Sequence, residues 1–151
     1  MGHTVTAIVA KSPVAAHLVT AHGLVSVKLV NDLRLVPLED DDLDSLGMDF
    51  SKTTTGFNYL SPEFVEFCEE VSVLGPLVYL ETDYFGGMGS QAAAAFSGGS
   101  LVATAPLTGE EAINTALRSI GVVASSGLDE FDSIGLSRYR YTSDWKEAAT
   151  R

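Results

Sequence analysis

The chain has 151 residues and sets 20 acidic side chains against 9 basic ones, a formal net charge of −11. Such a surface repels phosphate backbones and anionic membranes, so neither nucleic-acid nor membrane binding is expected, while basic partners are drawn in by long-range steering. With 46 % apolar residues and a mean hydropathy of +0.19, residues 1–151 read as one packed domain.

Thr4 to Ala10 is β-branched and apolar and reads as a first strand buried on both faces. Ser12-Pro13 then opens a helix, with Ser12 able to cap and Pro13 in the first position. It runs to about His22 along a stripe of Val14, Leu18 and Ala21, and Gly23 stops it. Leu24 to Val30 alternates like a half-buried strand. Leu33 to Leu38 is its hairpin partner across Asn31-Asp32, with Pro37 near an edge or an end. Residues 39–58 are the least regular, holding the acid run Glu39 to Asp44 and the polar loop Ser51 to Gly56. One helical turn is predicted around Asp41 to Leu46.

Ser61-Pro62-Glu63 starts a second helix by the same logic. Its apolar stripe is Phe64, Phe67, Cys68, Val71 and Leu74, and Gly75-Pro76 ends it. Leu77 to Leu80 enters a strand that leads into a glycine-rich segment. Ser90 to Ser97 and Ser100 to Ala105 are strands joined by Gly98-Gly99, a two-residue hairpin signal. Thr108-Gly-Glu-Glu111 has the form of a capping box. The helix after it shows Ala112, Ile113, Ala116, Leu117 and Ile120 on one face before Gly121. A short helical piece covers Asp129 to Ile134, Leu136 to Thr142 alternates arginine with tyrosine, and Thr142 to Glu147 forms a last turn or frays. Both halves pair a Ser-Pro helix start with a glycine stop and a hairpin, which a shared capping grammar explains more readily than duplication. Together these elements predict an α+β domain, a single layer of about three helices on a mainly antiparallel or mixed sheet.

The most distinctive segment is Glu81-Thr-Asp-Tyr-Phe-Gly-Gly-Met-Gly-Ser-Gln91. Its glycine spacing departs from the dinucleotide fingerprint, and it lacks the lysine of a phosphate loop. Glu81 and Asp83 would also repel an anion. Two readings stay open: a bulged or sharply bent strand connection, or a close approach by a partner. In the second, Tyr84 and Phe85 are anchors and Asp83 and Gln91 polar contacts. Asp40, Asp42 and Asp44 mimic the start of a calcium loop, but Ser45 and Ser51 stand where it needs glycine and glutamate. A solvated acidic loop or a landing site for a basic protein remains.

His3, His17 and His22 lack zinc-protease spacing, and a five-residue gap places His17 and His22 on different faces of their helix. His22 sits near a helix C-terminus, where positive charge is favoured. Cys68 is the only cysteine, which excludes an internal disulfide, and it falls on an apolar stripe as a small core residue. No G-x-S-x-G elbow is present. Arg138 and Arg140 are expected to pair with surplus acids. No catalytic residue, metal ligand or cofactor is assigned.

The segment from Tyr79 to Gln91, continuing through Ala92 to Ala95, and the later Gly127-Leu-Asp-Glu-Phe-Asp-Ser-Ile-Gly135 resemble uncharacterised small bacterial proteins. Those carry E-x-x-Y-F-G-G-x-G-x-Q mid-chain and D-x-F-D-x-(I/L)-G near the C-terminus. Glu81, Tyr84, Phe85, Gly86, Gly87, Gly89 and Gln91 match the first pattern; Asp129, Phe131, Asp132 and Gly135 match the second. The resemblance covers the C-terminal half and implies no activity. In profile, such proteins are similar to immunity proteins that neutralise bacterial toxins.

The sequence therefore points to an acidic binding protein that engages and neutralises a basic partner, such as a toxin domain. Asp40, Asp41, Asp42, Asp44, Glu81, Asp83, Tyr84 and Gln91 are its expected contacts. The alternative is a small-ligand-binding domain or enzyme with a pocket around Glu81 to Gln91. The start Met1-Gly-His-Thr-Val has neither a basic stretch nor a long apolar one, and no apolar run reaches the ~18 residues of a membrane span. Bacterial cytoplasm is the expected location.

Overall fold

A computed structural model describes residues 2–85, 88–102 and 107–150, the side chains of Phe85, Met88 and Leu107 excepted. The elements are β1 (Thr6–Lys11), α1 (Ser12–His22), β2 (Val27–Lys28), β3 (Leu33–Pro37), α2 (Asp40–Ser45) and α3 (Pro62–Val71). A 3₁₀ turn (Ser72–Leu74) leads to β4 (Leu77–Phe85), β5 (Met88–Ser97), β6 (Ser100–Leu101) and β7 (Leu107–Thr108). Helices α4 (Ala112–Ser119), α5 (Glu130–Ser133) and α6 (Thr142–Thr150) complete the chain. The strands form one sheet in the order β2-β3-β1-β4-β5-β6, with β7 also on β5, and every strand pairing is antiparallel.

The α+β class and the antiparallel sheet match the sequence reading; the layering differs. Helices cover both faces of the sheet, because its central strands are apolar on both sides of the pleat. Ile8, Ala10, Leu77, Tyr79, Ala92, Ala94 and Phe96 face α1, α2 and α3. Their neighbours Ala7, Val9, Val78, Leu80, Ala93 and Ala95 face α4 and α6. A sheet with two apolar faces must be covered on both. The alanine run of β5 leaves little bulk above the sheet on either side.

Local signals set most element ends. Ser61 caps α3 by accepting from the Phe64 amide at 3.2 Å. Gly23 ends α1 in the left-handed region, φ 68°. Gly98 and Gly99, at φ 62° and 91°, make the β5–β6 turn. Elsewhere tertiary contacts prevail. Lys11, not Ser12, is the N-cap of α1, and Ser12 Oγ instead donates to Asp32 at 2.7 Å. The strand expected over Leu24 to Val30 contracts to Val27–Lys28, and Leu74 leaves the core at 51 % exposure. Leu136 to Thr142 forms no strand beyond a parallel bridge between Tyr141 and Thr4. The C-terminal segment is a full helix because Trp145 is wholly buried beneath it. No helix among the described residues is long and apolar enough to cross a membrane.

The glycine-rich segment is the end of the β4–β5 hairpin. Pairing runs unbroken from Leu77–Phe96 to Phe85–Met88, so no bulge interrupts the described strands. Gly86 and Gly87, and residues 103–105 of the strand expected over Ser100 to Ala105, lie outside the described residues. Gly89 has φ 153°, and a Cβ there would strike the Asp83 carbonyl oxygen and the Tyr84 Cα. Only glycine permits this strand approach.

Candidate functional site

At one end of the sheet β1 begins, β4 ends and β5 begins. His3 closes that end by pairing its backbone with Tyr84, at 2.8 and 2.9 Å. α2, the loop over residues 54–60, and the N-termini of α4 and α5 gather around it. The two faces of this end are built differently.

On the face covered by α3, Glu81 is 5 % exposed. Its carboxylate accepts from the Asn58 and Tyr59 amides at 2.7 and 2.9 Å and from the Tyr79 hydroxyl at 2.6 Å. Burial and the adjacent Glu81 charge hold the Tyr79 phenol well above its ordinary range. Glu81 thus fastens a polar loop to the sheet and is not presented to solvent. Asp42 is also turned inward, accepting from the Glu39 amide at 2.9 Å and from Lys146 at 3.0 and 3.1 Å. That bond raises the Lys146 pKa. Asp40, Asp41 and Asp44 remain exposed on α2, and the Tyr59 hydroxyl donates to Asp40 at 3.4 Å. Asp83 is exposed beside Asn58 and Ser90 at a recess of about 90 Å³.

On the opposite face, Tyr84 and Gln91 enter a cleft of about 260 Å³. Gln91 Oε1 accepts from the Ile113 amide at 2.9 Å, and its Nε2 donates to the Tyr84 hydroxyl at 3.0 Å. The capping box expected from Thr108 and Glu111 does not form: Glu111 is the N-cap of α4 without a side-chain cap bond. Gln91, arriving from β5, takes over the orphan amide of Ile113. Asn114 is buried on α4; its Oδ1 accepts from the Phe131 amide at 2.9 Å, and its Nδ2 donates to Asp129 at 3.2 Å. Asp129 in turn caps α5 by accepting from the Asp132 amide at 2.8 Å.

His3 forms the remaining wall. Its Nε2 lies 3.3 Å from the Leu136 carbonyl oxygen, which can only accept. Nε2 therefore carries the proton of the neutral ring, and Nδ1 accepts from the Thr82 hydroxyl at 2.7 Å. Thr82 Oγ1 also accepts from the Val5 amide at 2.9 Å. The ring meets Phe131 edge-on at 5.3 Å. Burial lowers the His3 pKa, opposed in part by the Leu136 bond.

Glu110, Glu111 and Asp129 stand exposed at the cleft mouth. Arg118 reaches Glu111 at 3.7 Å and Glu130 at 3.3 Å. Lys146 is taken up by Asp42 and Glu39. Lys11, Lys28 and Arg34 lie toward the other end of the strands. Arg138 rests over the Trp145 ring at 5.7 Å; neither it nor Arg140 makes an ion pair among the described residues.

Of the contacts expected from sequence, the cleft brings together Tyr84 and Gln91. Asp40, Asp41, Asp44 and Asp83 are exposed outside it, while Asp42 and Glu81 are internal. The two segments that carry the resemblance, 79–95 and 127–135, meet here through Tyr84, Gln91, Asp129 and Phe131. His3, Glu110 and Asn114 share no spacing with them that a sequence pattern could catch. His17 and His22 do not diverge as expected: their rings meet at 5.5 Å, and burial followed by His17 lowers the His22 pKa. Cys68 is buried, and burial raises its thiol pKa far above the reactive range. Among the described residues no group of three or more His, Cys, Asp or Glu is placed to hold a metal ion. No protein-family model, curated protein or solved structure matches this chain.

Proposed function

We propose that this chain is a binding protein of the bacterial cytoplasm, whose acidic end docks a basic protein partner. A lysine or arginine of the partner enters the cleft between Tyr84, Gln91 and Asp129. One observation carries the reading: three exposed carboxylates rim a cleft whose walls are already fixed by hydrogen bonds. A cation entering it meets acceptors that need little reordering. Asp40, Asp41, Asp44 and Asp83 extend the negative field and speed encounter. Neutralising a bacterial toxin, as immunity proteins do, suits this profile. Asp42 and Glu81 support the scaffold and drop out of the contact set.

A second reading, a site for a small cationic ligand, is favoured by the cleft's concave shape and its volume of about 260 Å³. Titrating ¹⁵N-labelled protein with a lysine-rich peptide at low and physiological salt tests the first. Amide shifts should centre on Tyr84, Gln91, Ile113 and Asn114, weaken with salt, and vanish in an E110Q/E111Q variant. Shifts spread evenly over the acidic surface, or indifferent to salt, would discard it. Equal shifts from butane-1,4-diamine alone would select the second reading.

A further inference from the structure

A second cleft, of about 240 Å³, lies at the other end of the sheet, where β1 ends opposite the start of β3. At roughly 30 Å³ per water it has room for about eight waters, the scale of one small organic molecule. Its floor is aliphatic: Leu33 and Ile134 are buried there, while Val30 and Val123 stand 43 % and 84 % exposed at its edge. Two opposite charges border the same space, Lys11 and Asp32, and no ion pair joins them among the described residues.

The polar groups have capacity left over. Asp32 Oδ1 is occupied by the Ser12 hydroxyl at 2.7 Å, which fixes the carboxylate and leaves Oδ2 to accept. Ser133 Oγ accepts from the Ser125 amide at 2.8 Å and keeps its own proton to donate. Asn31 sits at φ 59°, a left-handed conformation that asparagine tolerates. It lines the same cleft. A serine hydroxyl, a cation and a separate carboxylate thus line one cleft together with aliphatic side chains.

We propose that this cleft binds a free aliphatic amino acid. Its carboxylate lies toward Lys11, its ammonium toward Asp32, and its side chain on the shelf of Val30 and Val123. A ligand with both charges meets both charged groups of the cleft at once. A single charge leaves one of the two groups unpaired, and glycine leaves the shelf uncovered. The inference is independent of the acidic cleft and of any protein partner.

Titration of ¹⁵N-labelled protein with L-leucine should give saturable shifts at Lys11, Asp32 and residues 122–125. 4-Methylpentanoate, which lacks the ammonium, and 3-methylbutylamine, which lacks the carboxylate, should each bind about tenfold more weakly, the worth of one charge-assisted hydrogen bond. Lys11→Met should weaken leucine about tenfold and leave the amine unaffected. Asp32→Asn keeps an acceptor for Ser12 and should weaken leucine while sparing the carboxylate. The proposal is overturned if no saturable shift appears by about 10 mM leucine, well past a weak millimolar site. It is equally overturned if N-acetyl-leucinamide binds as tightly as leucine, or if neither substitution alters the affinity.

Discussion

The two faces of the acidic end carry the same kind of group and use it in opposite ways. Under the loop over residues 54–60, Glu81 is sealed against solvent and receives two amides and a phenol. Across the sheet, Glu110, Glu111 and Asp129 stand exposed around a cavity that nothing among the described residues fills. The difference is in the donors that remote segments deliver. A carboxylate supplied with three internal hydrogen bonds becomes part of the scaffold. One supplied with few stays open to an external cation.

The most damaging way to test this contrast is Glu81→Ala. It strands two backbone amides and the Tyr79 hydroxyl in the interior, and should cost about 4 kcal/mol in denaturant unfolding. Exchange protection at Asn58 and Tyr59 should collapse with it. A loss below about 0.5 kcal/mol would erase the distinction between the faces. Asn114→Ala comes next, at about 2 kcal/mol, because it leaves the Phe131 amide without its acceptor and loosens Asp129. If stability held while the cleft amides kept their shifts, Asn114 would not be fixing that wall.

Acid should sharpen the picture through His3. Burial holds its pKa in the folded protein below the ordinary value of 6.5. As pH falls through 6.5 the unfolded chain takes up the proton first, so stability is full above that pH and declines below it, down to the folded value. His22 is shifted in the same direction and contributes to the same slope. His3→Gln should flatten part of the fall in urea midpoint, and His3→Gln/His22→Gln more of it. An unchanged slope in the single variant would remove His3 from the wall as described. The smallest stability effect belongs to the exposed acids: converting Asp40, Asp41 and Asp44 to Asn should each shift stability by less than about 0.5 kcal/mol. The same changes should slow association with a basic partner and reduce its salt dependence.

What could be read from sequence was local. The Ser61-Pro62 start of α3, the Gly98-Gly99 turn and the α4 stripe depend on neighbours within a few residues, and all stand in the structure. What depended on distant partners was hidden. Gln91 displaces the capping box from 22 positions away. Lys146 binds Asp42 across 104 positions, so α6 is anchored by residues its own segment does not announce. The double covering of the sheet was visible in the unbroken apolar run of β1, yet the alanines of β5 suit a helix as readily as a strand. Tyr84 and Gln91 were legible because glycines marked their segment. His3 and Asn114 were not, since the cleft is assembled from four separate stretches.

Trp145 offers one practical consequence. It is the chain's single tryptophan, wholly buried against Tyr139 at 4.8 Å, and it borders neither cleft. Its intrinsic fluorescence is therefore an optical gauge of whether the C-terminal helix is seated, with red-shifted emission on release. Ligands that fill either cavity should leave that emission unmoved, so a spectral change during titration would signal loss of the helix and not occupancy.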